Sequence, residues 1–239
     1  MHGLMKGKEG NILISLRPTL PIKERFMTGN DFIAEYIRST MVQNEGILRE
    51  LEQYAQDHRV PIVKPETARL LTVLGRLVKP ERILEVGTAI GYSAMLLAKT
   101  LSPCGRIDTI ERQEEMLVKA RENIKRAGLE HTISVIAGDA EEILRCLDKH
   151  YDMVFLDAAK GQYPEFLPEC LRMLKAGGLL VSDNVLFKGM VANDDLVVRR
   201  KKTIVNRMRT YLDMLCSDPN LETSILPVGD GVALTYKLK

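Results

Sequence analysis

From Arg82 onward, short apolar runs alternate with segments of helical periodicity, and few folds accommodate that alternation. The runs are RILEVG from Arg82, RIDTIE from Arg106, TISVIAG from Thr132, YDMVFL from Tyr151 and GLLV from Gly178. The spacing predicts helices between them over residues 92–101, over 113–127 with Gly128 as C-terminal cap, through Leu144, and over 163–174. Strands that alternate with helices build a mostly parallel sheet covered on both faces, an α/β fold. A long helix is expected over residues 196–216. Two closing strands, ETSILPV and GVALTYKL, flank Gly229, Asp230 and Gly231, an Asp-Gly turn that signals an antiparallel C-terminal hairpin.

A helical cap is expected ahead of this alternation. Phe32, Ile33, Tyr36 and Ile37 recur at helical spacing, and Asn30 or Asp31 is placed to cap them. A second helix over residues 45–57 carries Ile47, Leu48, Leu51 and Tyr54 on one face. Residues 59–64 read as extended, and Pro65 suits the first turn of a third helix, PETARLLTVLGRLV. Residues 1–26, Gly-rich and broken by Pro18 and Pro21, read as an N-terminal extension, either disordered or an arm on a neighbour. Residues 27–239 read as a single domain. The helices before Pro65 carry more apolar positions than one domain face buries, so a homodimer is expected.

With 239 residues, 45% hydrophobic and 28% charged, the chain is long enough for one well-buried core. A net charge of +2 excludes a global polyanion-binding signature, so only local clustering can argue for nucleic acid. Cys104, Cys146, Cys170 and Cys216 lack any C-x-x-C spacing and read as reduced, buried thiols of a cytoplasmic protein. No apolar run approaches the roughly 18 residues of a membrane span, and no signal peptide is expected.

The apolar run at 153–156 stops at Asp157, a carboxylate at the carboxyl end of a buried strand, where open α/β sheets place their ligands. Lys160 follows three residues later. The run at 178–181 is followed in the same way by Ser182, Asp183 and Asn184. If the two strands are parallel neighbours, Asp157, Asp183 and Asn184 converge. Two carboxylates and an amide oxygen make a hard oxygen site suited to Mg²⁺, or to Mn²⁺ or Ca²⁺.

A second cluster surrounds ILEVGTAIGYSA at residues 83–94. Gly87 and Gly91 let backbone approach a ligand closely. The spacing is G-x-x-x-G rather than the dinucleotide fingerprint, which disfavours an NAD-dependent oxidoreductase. Glu85 lies just inside the first strand end. Glu111 ends the second strand, where a carboxylate can bond both hydroxyls of a ribose. Asp139 follows the third and can reach an adenine amino group. Acidic strand ends without a phosphate clamp favour a nucleoside lacking phosphates. S-adenosylmethionine, with its cationic sulfonium, fits better than NAD or ATP.

Taken together, ILEVGTAIGYSA, IER, GDA, FLDAAKGQY and SDNVL resemble the cation-dependent O-methyltransferases that include catechol and caffeoyl-coenzyme A methyltransferases, over residues 31–239. The resemblance implies a seven-stranded Rossmann-like methyltransferase fold. It implies metal ligands at Asp157, Asp183 and Asn184 and a catalytic lysine at Lys160. It also implies cofactor contacts from Val63, Ser93, Glu111, Asp139 and Ala140, with Glu85, Gly87 and Asp157 beside them. A closer resemblance, carried by DAAKGQY, DNVLFKGMVA and LPVGDGVAL, is to bacterial tRNA methyltransferases that convert 5-hydroxyuridine to 5-methoxyuridine. Catechol-type members usually carry a tryptophan after the Asp-Asn pair. This chain has Leu186, Phe187, Lys188 and Gly189 there and no tryptophan at all.

Lys188, Arg199, Arg200, Lys201, Lys202, Arg207 and Arg209 cluster after Asn184 and can hold a phosphate backbone, with tRNA as partner. The expected chemistry is in-line methyl transfer, with a Lewis-acidic cation on the acceptor hydroxyl. Lys160 acts either as base or as a charged stabiliser of the oxyanion. The alternatives are an O-methyltransferase for small catechol-like molecules and a non-catalytic S-adenosylmethionine-binding protein. The intact acidic and lysine set argues against the second.

Overall fold

The computed structural model describes residues 29–239, and the extension assigned to residues 1–26 lies outside the described residues. Three helices come first: α1 (Gly29–Thr40), α2 (Ile47–His58) and α3 (Pro65–Val78). The alternation follows as β1 (Arg82–Val86), α4 (Tyr92–Ala98), β2 (Arg106–Glu111), α5 (Glu114–Arg126), β3 (Ile133–Ala137), α6 (Ala140–Cys146), β4 (Tyr151–Leu156), α7 (Tyr163–Met173) and β5 (Leu174–Asp183). The chain continues through α8 (Lys202–Ser217), β6 (Leu221–Leu226) and β7 (Val232–Lys237).

The seven strands form one sheet in the order β3-β2-β1-β4-β5-β7-β6. Strands β1 to β5 pair in parallel, and β7 runs antiparallel to both β5 and β6. The chain winds outward from β1 to β3, then returns to place β4 on the other side of β1. Strand order therefore reverses between β1 and β4, which is where such sheets open a ligand crevice.

The central strands are apolar on both faces because both faces are covered. Ile83, Met153 and Phe155 pack with residues of α2, α3, α4 and α5. Their neighbours Leu84, Val86, Val154 and Leu156 pack with residues of α6, α7 and α8. Burying each such side chain fully contributes about 1.5–3 kcal/mol, which fixes the strand ends on which the site is built.

Three expectations are corrected. Asn30 and Asp31 fall inside α1 rather than ahead of it. The last long helix starts at Lys202, not near Leu196. Asn193 Oδ1 accepts from Asp195 N at 2.9 Å and caps a 3-10 turn over Asp194–Leu196. Val197 and Val198 are then extended, as β-branched residues prefer. Arg199–Lys201 form a second 3-10 turn. Of the four thiols, all free, only Cys170 is buried, because the other three lie in a loop or on exposed helical turns. On α1, Phe32, Ile33, Tyr36 and Ile37 remain exposed. Arg38 ties that helix to α3 through a bidentate contact with Glu66 at 2.7 and 2.8 Å. Among the described residues no helix is long and apolar enough to cross a membrane.

Candidate active site

The site begins at the reversal of strand order. Asp157 N donates to Val86 O at 3.0 Å, which draws the first residue after β4 against the end of β1. Gly87 answers that approach. Its φ is +105°, and a Cβ there would lie 2.1 Å from Asp157 O, so no side chain fits.

Leu156 and Ser182 are register partners in the β4–β5 pairing. The next residue of each strand is Asp157 and Asp183, which therefore stand side by side. The hydroxyl of buried Tyr163 donates to Leu156 O and Asp183 O, 3.1 Å from each, and staples the two strand ends. Lys160 heads a 3-10 turn, and its Nζ is 3.8 Å from Asp157 Oδ1. Asp183 is 2% exposed, and its Oδ1 accepts from Asn184 N at 2.7 Å. Burial, and then the charge of Asp157, push the Asp183 carboxyl up to about 7. Burial raises Asp157 as well, against the pull of Lys160. One ammonium thus stands beside a buried and a half-buried carboxylate, a donor set that fits a hard divalent cation. Among the described residues no three His, Cys, Asp or Glu side chains group as a metal site, so a third oxygen here would come from an amide, which Asn184 carries.

A cavity of about 640 Å³ opens over the carboxyl ends of β1, β2, β3 and β4, within the size range of small-molecule sites. It brings together Val63, Gly87, Ser93, Glu111, Asp139, Ala140, Asp157 and Lys160. Asp183 and Asn184 stand beyond its lining, and Glu85 lies beneath it, fully buried. Thr109 Oγ1 donates to Glu85 Oε2 at 2.5 Å, while buried Glu85 Oε1 has no hydrogen-bond partner among the described residues. Burial pushes the Glu85 carboxyl up to about 7, opposed by the Ser93 and Thr109 hydroxyls.

The other two acids are engaged with the backbone. Glu111 Oε2 accepts from Ala89 N at 2.9 Å, and Oε1 accepts from Arg112 N and Gln113 N, each at 2.9 Å. This carboxylate holds the Gly-rich turn to the start of α5. Asp139 Oδ1 accepts from Glu141 N at 2.9 Å as the N-cap of α6, and Oδ2 lies 3.6 Å from Arg112 Nη1. An orphaned carboxylate oxygen, further acceptors at the strand ends and an apolar wall at Val63 and Ile62 suit a cationic nucleoside. Several lining residues escape the sequence reading, among them His58 and Arg59 at the end of α2, and Arg112. Arg112 had a signal, its place beside Glu111; the other two had none.

The basic cluster divides in two. Arg207 pairs with Glu165, and Arg209 with Asp194 and the carbonyls of Met190 and Val191. Lys188, Arg199, Arg200 and Lys202 are exposed. Lys201 Nζ stands 5.8 Å from the centroid of the Phe187 ring.

The pattern of the O-methyltransferase family matches residues 38–238. The chain belongs to that family. It is 34% identical over 181 residues to a catechol O-methyltransferase from Niastella koreensis, covering 72% of this chain and 80% of that one. It is 32% identical over 183 residues to a caffeoyl-CoA O-methyltransferase from Populus kitakamiensis, covering 74% and 78%. The crystal structure of the O-methyltransferase TomG from Streptomyces achromogenes, in complex with S-adenosylmethionine, superposes with a TM-score of 0.77 at 30% identity, covering 87% and 96%. The protein is thus an S-adenosylmethionine-dependent O-methyltransferase of the caffeoyl-CoA and catechol type, on the Rossmann-like fold expected from its sequence.

Proposed function

We propose that this enzyme uses a divalent cation, Mg²⁺ by donor type, and that its acceptor is 5-hydroxyuridine in tRNA, converted to 5-methoxyuridine. The observation that carries the cation is the Asp157/Asp183 pair, side by side at neighbouring strand ends with Asp183 buried and Lys160 3.8 Å from Asp157. Asp157, Asp183 and Asn184 would hold the ion, which supplies Lewis acidity to an acceptor hydroxyl. S-adenosylmethionine supplies the methyl group. Lys160 as a neutral amine would take the acceptor's proton, or as an ammonium would stabilise the charge left on the oxygen when that proton passes to water. Glu111 keeps the Gly-rich turn in place, and Val63, Ser93, Asp139 and Ala140 line the cavity that orients the donor in line with the acceptor.

The tRNA reading is supported by exposed Lys188, Arg199, Arg200 and Lys202, which lie downstream of Asn184 and suit a polyanion. Phe187, beside Lys188, offers a face on which a base can stack. The test is mass spectrometry of tRNA nucleosides from cells with and without the gene. We expect 5-methoxyuridine, or a nucleoside built on it, to disappear and its hydroxylated precursor to accumulate. Unchanged nucleosides, with rapid methylation of catechols by purified enzyme, would establish the second reading, a small-molecule O-methyltransferase, which the names of the relatives favour.

Residues 27–239 act on this proposal as one catalytic domain, and the exposed apolar face of α1 is its contact with a second copy. Light scattering at micromolar concentration should give twice the mass of the chain; a monomer mass would remove the dimer.

A further inference from the structure

Residues 185–193 follow Asp183 and Asn184 and are held from two sides. Their backbone needs holding. Asn184, Phe187 and Lys188 have φ of 62°, 44° and 58°, a left-handed region that L side chains enter at a cost. Such residues persist where their surroundings over-determine them, and they concentrate at ligand sites.

One side is the β6–β7 hairpin. Gly231 O accepts from Val185 N at 2.9 Å, and Asp230 O accepts from Leu186 N at 3.0 Å. The Asp230 carboxylate adds a third bond, accepting from Lys188 N at 2.5 Å. The approach is close: a Cβ on Gly231 would lie 2.4 Å from Leu186 Cγ. The other side is α8. Arg209 Nε donates to Val191 O at 3.0 Å, and its Nη2 to Met190 O at 3.4 Å and Asp194 Oδ1 at 2.7 Å. The hairpin itself is fixed to the strand that carries Asp183, because Asp183 and Val232 are register partners.

We propose that Asp230 and Arg209 are positioning residues that clamp residues 185–193, holding Asn184 beside the Asp157/Asp183 pair and setting the surface that an acceptor meets. If either end lets go, the left-handed turn at Phe187 and Lys188 loses its restraint and relaxes, and the Asn184 amide moves with it. Asp230 is thus more than a turn residue, and Arg209 is withdrawn from the phosphate-binding set. The link to catalysis rests on the proposed cation and acceptor; the clamp itself does not.

The test uses the full chain with Asp230→Ala, Asp230→Asn, Arg209→Ala and Arg209→Lys. Hydrogen–deuterium exchange of residues 184–193 reports the clamp directly. Calorimetric titration with Mn²⁺ and the acceptor KM report what it positions. We expect both alanine variants to speed exchange there about tenfold while β1 and β4 stay protected. Mn²⁺ affinity should fall by about tenfold, the low end for residues that orient metal ligands. The acceptor KM should rise with S-adenosylmethionine affinity unchanged. Asp230→Asn keeps an oxygen acceptor and should recover most of the loss, whereas Arg209→Lys, with one nitrogen in place of a fork, should not. Unchanged exchange in both alanine variants would overturn the clamp. Faster exchange with unchanged Mn²⁺ affinity and KM would overturn its positioning role, as would an equal loss of S-adenosylmethionine affinity. If the wild type methylates neither hydroxylated tRNA nor catechols while the exchange and Mn²⁺ results hold, the acceptor assignment fails and the clamp stands.

Discussion

Over β2 and β3 the acids are satisfied by the fold itself: Glu111 accepts from three backbone N–H groups, and Asp139 caps α6 and faces Arg112. Over β4 and β5, Asp157 and Asp183 face each other, and burial raises both. Hydrogen bonds to a carboxylate favour its charged form, while desolvation and a like charge oppose it. The first region therefore uses carboxylates as framework, and its cavity is shaped before any ligand arrives. The second leaves its carboxylates under-compensated, so a bound cation would stabilise the folded state itself.

The largest test of this contrast is Asp157→Asn. Removing one charge from the pair should lower kcat by about a thousandfold, equivalent to about 4 kcal/mol, through loss of the cation. The Tm of metal-free protein should not fall, since the uncompensated repulsion goes with the charge. Initial rates and a thermal melt check both; a wild-type rate in excess chelator would remove the cation altogether.

A buried acid under the first region sharpens the comparison. Glu85 has its carboxyl raised from 4.5 to about 7. Between those values the folded protein keeps a proton that the unfolded chain has released. The stability that this proton contributes is complete below about 4.5 and is lost as pH rises through about 7. The loss is about 3 kcal/mol at 1.36 kcal/mol for each pKa unit. Melting curves of ligand-free protein between pH 4.5 and 8 should show the decline, and Glu85→Gln should make it shallower, the Asp157/Asp183 pair supplying the rest; a flat wild-type curve would contradict the shift.

Glu111→Ala should have the smallest of the three effects, because it strikes framework rather than chemistry. S-adenosylmethionine affinity should weaken by about 2 kcal/mol, within the range for hydrogen bonds to a charged group. Calorimetry should also show Glu111→Gln to be weaker than wild type, since an amide has one acceptor oxygen for a task that uses two. Unchanged affinity in both variants would separate Glu111 from the cofactor.

The strand ends were legible in the sequence because their signal is local. An apolar run that stops at Asp157, with Lys160 three residues on, reads without knowing any neighbour, and parallel pairing of β4 with β5 brings Asp183 alongside. What Glu111 and Asp139 bond to was not legible: both engage backbone N–H groups, which every sequence has. Tyr163 gave no sign of stapling two strands, since its partners are carbonyls whose meeting depends on the register. The apolar spacing on α1 specifies a helix, yet spacing does not say whether that face is covered, and in one chain it stays exposed. The basic run looked uniform by composition, while geometry spends Arg207 and Arg209 on Glu165 and Asp194.

The antiparallel course of β7 has a consequence for the order in which this enzyme becomes competent. Because β7 runs against β5, its entrance rather than its exit meets the ligand-bearing end of the sheet, and it brings Asp230 and Gly231 there. It is also the last described element in chain order. On a ribosome, β1 to β4 emerge while β7 is still unmade. The segment after Asn184 then has no hairpin to rest on. The acceptor side of the site is therefore completed only when β7 has formed.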